Sequence, residues 1–523
     1  MQYGLTQEPL ASDLFVNSKG QKLFFIGESS MNHRFVNRSG FLKFACVCIA
    51  LTLAAGSLAR AAASPAVQDN KRPNIVFILA DDLGYGSLNS YGADKNLVRT
   101  PCIDRIAETG MRFTNAYTPA SICTPTRYGC LTGRYPWRTS LKSGVVNPDD
   151  PLLPDPDRMT IADWLKERGY HTAAIGKWHL GYGNKKPVDF TGKLSPGPLD
   201  LGFDYHFGVP QNHGDMWGVY IENDHIYGLR SKKAYPYSKT FYGSPYMGFD
   251  APQRENKNVM EVLTEKSVDW LKQQNQDNPF FLYFAAVAVH HPITPSDYMR
   301  GMSDCGPYGD FIQDLDLSVG RILQTLEYMN LMNNTIIIFS SDNGGEIPGT
   351  NAKRPEDQAI KLGLKINGKL RGDKHTIWEG GSKVPLIVSW PGKVKAGAVS
   401  DDMVGLIDLF ATVCEITDGS LPDSKDAAPD SFSFLSSLIQ SGKRNQRISL
   451  VTADVKGMHA IRKGPWKYID NMSPNGKKDG QPGLYNLIDD PMESVNRYAG
   501  KPEIAKELAE ELQRIRNAQS TRQ

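Results

Sequence analysis

Three runs in this sequence are apolar over most of their length: NIVFILADD (74–82), PFFLYFAAVAVHHP (279–292) and NTIIIFSSDNGG (334–345). A strand with one wet face alternates apolar and polar residues. A strand buried on both faces does not, and such strands belong to parallel sheets covered by helices. The intervening segments fit that picture. TPCIDRIAETGMRF reads as a helix leading into a short strand, and IADWLKERGYHTAAIGKWHLG (161–181) as a helix, a stop at Gly169, a strand and a loop. FIQDLDLSVGRILQTLEYMN (311–330) has helical spacing, VPLIVSWPG (384–392) reads as a strand, and LIDLFATVCEITDG (406–419) as a helix. The alternation predicts an α/β fold, a large mainly parallel sheet sandwiched by helices. Beyond residue 420 the texture changes. HAIRKGPWKYID (459–470) predicts two strands around a Lys-Gly turn, GLYNLIDDPMESVN is turn-rich, and PEIAKELAEELQRIRNAQ (502–519) is strongly amphipathic. We expect a catalytic domain over 64–420 and a smaller α+β domain over 421–523.

The N-terminus carries a different signal. FLKFACVCIALTLAAGSLARAAASPA (41–66) follows basic residues (Arg34, Arg38, with Lys43 inside it), has an apolar core near 45–55 and reaches a small-residue site at Ala61-Ala62-Ala63. This predicts a secretory signal over 31–63 starting at Met31, with 1–30 a gene-start extension. The core falls short of the ~20 apolar residues a spanning helix needs, so no stable membrane anchor is expected. The chain is expected to be exported: periplasmic or secreted, or lysosomal in a eukaryotic host. Removing the six basic and three acidic residues of 1–63 from totals of 59 and 57 leaves 53 and 54, a net charge of −1. That balance gives no reason to expect nucleic acid as a partner. Five cysteines remain, Cys102, Cys123, Cys130, Cys305 and Cys414, and an odd count in an oxidising compartment leaves one thiol over.

Chemistry gathers where the buried runs end. Asp81 and Asp82 close one run, and Asp342 and Asn343 close another. Ligands of open α/β sheets bind outside the carboxyl ends of the strands. If the two strands lie near each other, three carboxylates and an amide converge, and such repulsion is relieved by a hard divalent cation, Ca²⁺ or Mg²⁺. Lys177 and His179 stand two apart just after a strand, His290 and His291 end another, and Lys374 sits in LRGDKHTIWEGG. Together they suggest a pocket for an oxyanion, with metal on one side and cations on the other. Cys123 begins what reads as a helix, with Pro125 in its first turn and Arg127 one turn along.

These blocks resemble the type I sulfatases, of the alkaline-phosphatase-like superfamily. C-T-P-T-R followed by LTGRYP is similar to that family's signature. PNIVFILADDLGYG, GKWHLG, HHP, SSDNGG and LRGDK…WEGG resemble its other blocks in the same order, and LYNLIDDPMES its C-terminal segment. In EGGSKVP, Lys383 stands where the family more often has Arg. The resemblance implies a sulfatase in which a formylglycine-generating enzyme converts Cys123 into formylglycine, held as a hydrate whose one hydroxyl attacks sulfur and whose other later expels sulfate. It implies one Ca²⁺ held by Asp81, Asp82, residue 123, Asp342 and Asn343. Arg127 is implied to orient the hydrate, Lys177 and Lys374 to hold sulfate oxygens, His179 to act as base and His290 as acid.

Two rival readings stand beside it: a phosphonate or phosphodiester hydrolase of the same superfamily, and an unmatured protein that binds sulfate esters without turnover. The substrate is expected to be a sulfated carbohydrate or an aryl sulfate. Residues 201–250 carry twelve aromatics, 24% against 10% overall, with few clear helix or strand patterns. A rim of rings with scattered polar groups suits sugars, and His213, Asp215 and Trp217 are expected nearest the sulfated unit.

Overall fold

The computed structural model describes residues 13–16, 22–25, 72–239, 245–349, 353–440, 442, 447–471 and 481–522. The expected signal at 31–63 lies outside the described residues. Residues 13–16 and 22–25 pair as an antiparallel hairpin. Residues 68–523 form a separate compact unit.

That unit is built on an eleven-stranded sheet. In chain order its strands are β1 (Asn74–Ala80), β2 (Met111–Tyr117), β3 (His171–Lys177), β4 (Tyr205–Val209), β5 (Ile221–Glu222), β6 (His225–Ile226), β7 (Phe280–Ala285), β8 (Thr335–Ser341), β9 (Lys383–Ser389), β10 (Ala398–Ser400) and β11 (Val404–Gly405). Their order is β10-β2-β9-β8-β1-β7-β3-β4-β5-β6, with β11 also on β2. The block β8-β1-β7-β3-β4 is parallel throughout. β9 runs antiparallel to both of its neighbours.

The apolar runs are explained by the two faces. Successive strand residues point to opposite sides. Ile75, Phe77 and Leu79 of β1 join one core, and Val76, Ile78 and Ala80 the other. Helices cover both. Over the second core lie α1 (Pro101–Thr109), α4 (Val259–Lys272) and α5 (Pro307–Tyr328). Over the first lie α2 (Cys123–Thr132), α3 (Ile161–Lys166) and α6 (Leu409–Asp418). A four-stranded antiparallel sheet, β12 (Ser449–Ala453), β13 (His459–Lys463), β14 (Trp466–Ile469) and β15 (Gly483–Asn486), and helix α7 (Pro502–Asn517) make the C-terminal part. Leu450, Val451, Ile461 and Leu484 of that sheet and Leu508 and Leu512 of α7 share a core with Tyr117, Tyr135 and Ile407.

Two segments depart from the expected pattern. The run 279–292 is a strand only to Ala285; the rest leaves the sheet as a buried loop, in which Ala288 O accepts from Asp81 N at 2.9 Å and Val289 N donates to Asp81 O at 2.6 Å. Residues 201–250 hold β4, the last strand of the parallel block, besides β5, β6 and a hairpin of 231–239 with 245–250. The alternation in β4 was masked because His206 is a core residue, its Nδ1 donating to Ala174 O at 2.9 Å and its ring beside the Tyr182 hydroxyl.

At the end of the β3–β7 pairing, Gly176 faces Ala285. Gly176 has φ +124°, and a Cβ there would sit 1.8 Å from Ala285 O. Gly176→Ala is therefore expected to destabilise the protein by about 2–4 kcal/mol, as for other large backbone conflicts. The thermal midpoint checks this, and an unchanged midpoint contradicts it.

Candidate active site

The parallel register delivers the acidic residues to one place. β1 and β8 pair with Ala80 opposite Ser341, and Asp342 N continues the ladder by donating to Ala80 O at 3.0 Å. Asp81, Asp82, Asp342 and Asn343 thus leave adjacent strands at their carboxyl ends. β3 contributes Lys177 as its last residue, and the loops after β3 and β7 contribute His179 and His290. Cys123 is the first residue of α2, a helix buried along its whole length. Lys374 comes from the loop before β9. Every one of these residues is buried, none more than 4% exposed.

Ion pairs set the geometry. Arg127 donates to Asp342 Oδ2 from Nε at 3.1 Å and from Nη2 at 2.6 Å, while Nη1 donates to Lys177 O at 3.0 Å. Its Nη2 also stands 3.4 Å from Asp81 Oδ1. Lys177 Nζ reaches both Asp81 oxygens, at 2.9 and 2.7 Å, and Cys123 Sγ at 3.5 Å. Lys374 Nζ donates to Asp82 Oδ2 at 2.7 Å, and Asn343 Nδ2 to Asp82 Oδ1 at 2.8 Å. Cys123 Sγ lies 3.7 Å from Asp81 Oδ1 and 4.0 Å from Asp82 Oδ1. Ligand atoms of Asp81, Asp82, Cys123 and Asp342 all fall within 4.8 Å of one another. Asp82 and His179 hold positive φ, 59° and 56°. Non-glycine residues keep such backbones only where the surroundings over-determine them, and these cluster at functional sites.

Burial pushes the Asp81 carboxyl up to about 7, with Lys177 opposing and Asp342 reinforcing. Burial also works against a charged Asp82, but Lys374 and Lys177 outweigh it and hold that carboxyl below its ordinary value. The Cys123 thiol is driven upward by burial and then by Asp342, which makes it a poor nucleophile as a thiol. Burial and the neighbouring Lys residues hold His179 and His290 well below the ordinary imidazole value, so both rings are neutral. His290 Nδ1 is 2.5 Å from His291 O, which can only accept, so Nδ1 carries the proton and Nε2, 3.7 Å from Asp82 Oδ2, is the open nitrogen. The ring nitrogens of His179 make no well-formed hydrogen bond, although the Val146 backbone lies close enough to favour the charged ring slightly.

All the residues expected at the strand ends therefore meet. The expected substrate residues divide. Asp215 is corrected: its carboxylate is used within the fold, pairing with Arg254 at 2.8 Å and accepting from Trp217 N and Gly218 N. His213 Nε2 is bound to Pro292 O at 2.7 Å, leaving Nδ1 buried and without a partner. Trp217 packs against Phe190 and Phe249 at 5.1 and 5.4 Å. Lys383 lies away from the cluster, its Nζ 5.5 and 5.9 Å from the rings of Tyr85 and Tyr117. Sequence reasoning missed Glu346, whose carboxylate stands 3.8 Å from Lys374 Nζ and 3.4 Å from His291 Nε2, and Glu356, 2.9 Å from His291 Nδ1. Their stretch has no periodicity to flag them. All five cysteines of the described residues are free thiols.

Comparison with known proteins fits this geometry. The Sulfatase family profile matches residues 73–420, and the profile described as N-sulphoglucosamine sulphohydrolase, C-terminal, matches 371–518. The chain is 35% identical over 493 residues to an N-acetylgalactosamine-6-O-sulfatase of Bacteroides thetaiotaomicron, covering 86% of this chain and 94% of that one. It is 30% identical to arylsulfatase A of Bos taurus, covering 89% of each. A solved Bacteroides thetaiotaomicron sulfatase from a study of glycosaminoglycan metabolism superposes with a TM-score of 0.78 at 34% identity, over 86% of this chain and all of that one. A profile that spans the large sheet and every residue of the buried cluster, with relatives alike over most of their length, makes this chain a member of the sulfatase family and hence a sulfuric ester hydrolase.

Proposed function

We propose that the protein hydrolyses sulfate esters of carbohydrate, 6-O-sulfated N-acetylhexosamine foremost, at residue 123. The observation that carries the reading is the position of Cys123 Sγ, within 4.0 Å of two carboxylates and 3.5 Å of a lysine. The choice of sugar follows the relative named N-acetylgalactosamine-6-O-sulfatase, with which this chain is alike over 94% of that protein's length.

The residues fit a calcium ion. Three buried carboxylates face one another, and Asn343 Oδ1 is buried with no hydrogen-bond partner, an oxygen in want of a cation. Six to eight oxygens suit Ca²⁺, whereas the thiol of an unmodified Cys123 is a soft donor that suits it poorly. An oxygen at position 123, as formylglycine provides, completes an all-oxygen set. Calcium with formylglycine supplies an activated oxygen nucleophile and polarises the sulfate. The charges then balance. Asp81, Asp82 and Asp342 are offset by Arg127, Lys177 and Lys374, so a bound dication leaves the pocket positive and suited to a sulfate anion.

The remaining work falls to the chain's own groups. Arg127, fixed by Asp342 and Asp81, orients residue 123. Lys177 and Lys374 hold sulfate oxygens. His290, its Nδ1–H held on His291 O, takes up a proton from solvent at the open Nε2 once the sulfate anion is bound and passes it to the departing alcohol, and His179 accepts one at residue 123. His213 and Trp217 contact the sugar. Maturation calls for a formylglycine-generating enzyme, and the signal expected over 31–63 accords with export of the chain.

Matured enzyme is expected to show a higher kcat/KM for 6-sulfated N-acetylgalactosamine than for p-nitrophenyl sulfate, because a sugar pocket adds transition-state binding that a small aryl ester cannot use. The reverse order contradicts the carbohydrate reading. His290→Ala is expected to slow the sugar ester by roughly 10²–10⁴-fold, the usual contribution of a positioned acid, and to slow p-nitrophenyl sulfate far less, since a good leaving group needs no proton. Equal losses on both substrates remove His290 from that role.

A further inference from the structure

A second site is built at the opposite end of α2. A cavity of about 540 Å³ is lined by Arg134, Arg138, Lys142, Arg158, Lys425 and Arg516, and no acidic residue lines it. Two of the six cations are neutralised from outside: Arg138 by Asp430 at 2.8 Å and Arg516 by Asp470 at 2.5 Å. The other four have no carboxylate partner among the described residues. Arg134 donates to the Tyr128 hydroxyl and Arg138 O, and Lys142 to Trp137 O, all neutral acceptors. The Arg158 Nε is buried with no hydrogen-bond partner. Trp137 also lines the cavity; it is 8% exposed, and its Nε1–H, a donor, is likewise buried and unpartnered.

Four uncompensated cations around one concavity repel each other, and low-dielectric walls strengthen their combined field. Water screens the exposed Lys142 and Lys425, but the partly buried Arg134 and Arg158 share the concavity with them, and a bound anion is the partner that satisfies all four. The volume lies within the range of sites for organic ligands and well above the space of a lone ion. The place is distinct from the catalytic cluster. Cys123 opens α2 and Arg134 follows its end, so ten helical residues, about 15 Å, separate them. None of the residues of the candidate active site lines this cavity.

We propose that this cavity is a non-catalytic oxyanion site that takes a sulfate or carboxylate group, carried by a sugar of the substrate chain or released as free sulfate. It goes beyond the proposed function, which concerns only the ester being cleaved. A saccharide held here has its acidic group against Arg134, Lys142, Arg158 and Lys425, and the Trp137 Nε1–H supplies a neutral donor.

The test uses the full chain carrying Arg158→Ala and Lys425→Ala, two side chains that make no hydrogen bond within the described residues, so that their loss breaks none of the fold's own hydrogen bonds. Binding is measured by calorimetry in a Cys123→Ala background, which prevents turnover, with two probes: a 6-sulfated chondroitin hexasaccharide and inorganic sulfate. Turnover of p-nitrophenyl sulfate is measured in the same double variant with position 123 intact, and is expected to be unchanged, which reports an intact fold and catalytic cluster. The hexasaccharide Kd is expected to rise roughly tenfold or more, since charge-assisted hydrogen bonds are lost. A loss confined to inorganic sulfate upholds the oxyanion site and assigns it to the released ion. Unchanged affinity for both probes overturns the proposal. Failure of the carbohydrate reading shows itself separately, in the substrate preference of the unsubstituted enzyme.

Discussion

The constraint on which the rest depends is electrostatic. A parallel sheet delivers all its carboxyl ends to one edge, and in this chain β1 and β8 deliver Asp81, Asp82 and Asp342 side by side. Three carboxylates buried together are untenable alone. Arg127, Lys177 and Lys374 are each drawn in to within 3 Å of one of them. Every side chain assigned to chemistry is in this way held by an ion pair or lies against one. The arrangement costs desolvation of six charges, and it gains a rigid pocket whose partial charges are fixed before substrate arrives.

Position 123 draws its meaning from that pocket. A thiol buried among carboxylates is neither acidic enough to attack nor hard enough to bind calcium. The same position occupied by oxygen serves both purposes. α2 places it there: the helix is buried throughout, and Thr124 ties its first turn to the loop after β3 by donating to His179 O at 2.9 Å. The helix therefore positions Cys123 and Arg127 at one end and leads to the basic cavity at the other.

The parts of the molecule readable from sequence are those governed by local chemistry. The buried strands announce themselves because residues on both faces are apolar, and the charged residues at their ends stand out against that background. The orientation of β9 was not readable, because its composition is the same for either direction. β4 was hidden by His206, a polar residue whose burial is paid for by hydrogen bonds to Tyr182 and Ala174 that only the fold supplies. Asp215 was misread for the converse reason. Its partner Arg254 lies 39 residues away, and without that pairing a carboxylate among aromatics looks like a sugar contact. Glu346 and the basic cavity are assembled from distant segments with no pattern of their own.

The central claim is that residue 123 acts as an oxygen nucleophile and not as a thiol. Mass spectrometry of the peptide containing residue 123, taken from protein purified in its active form, tests it most directly. The account predicts an aldehyde in place of the thiol, in a fraction of chains that rises and falls with specific activity. Full activity in protein whose residue 123 is uniformly an unmodified cysteine contradicts it.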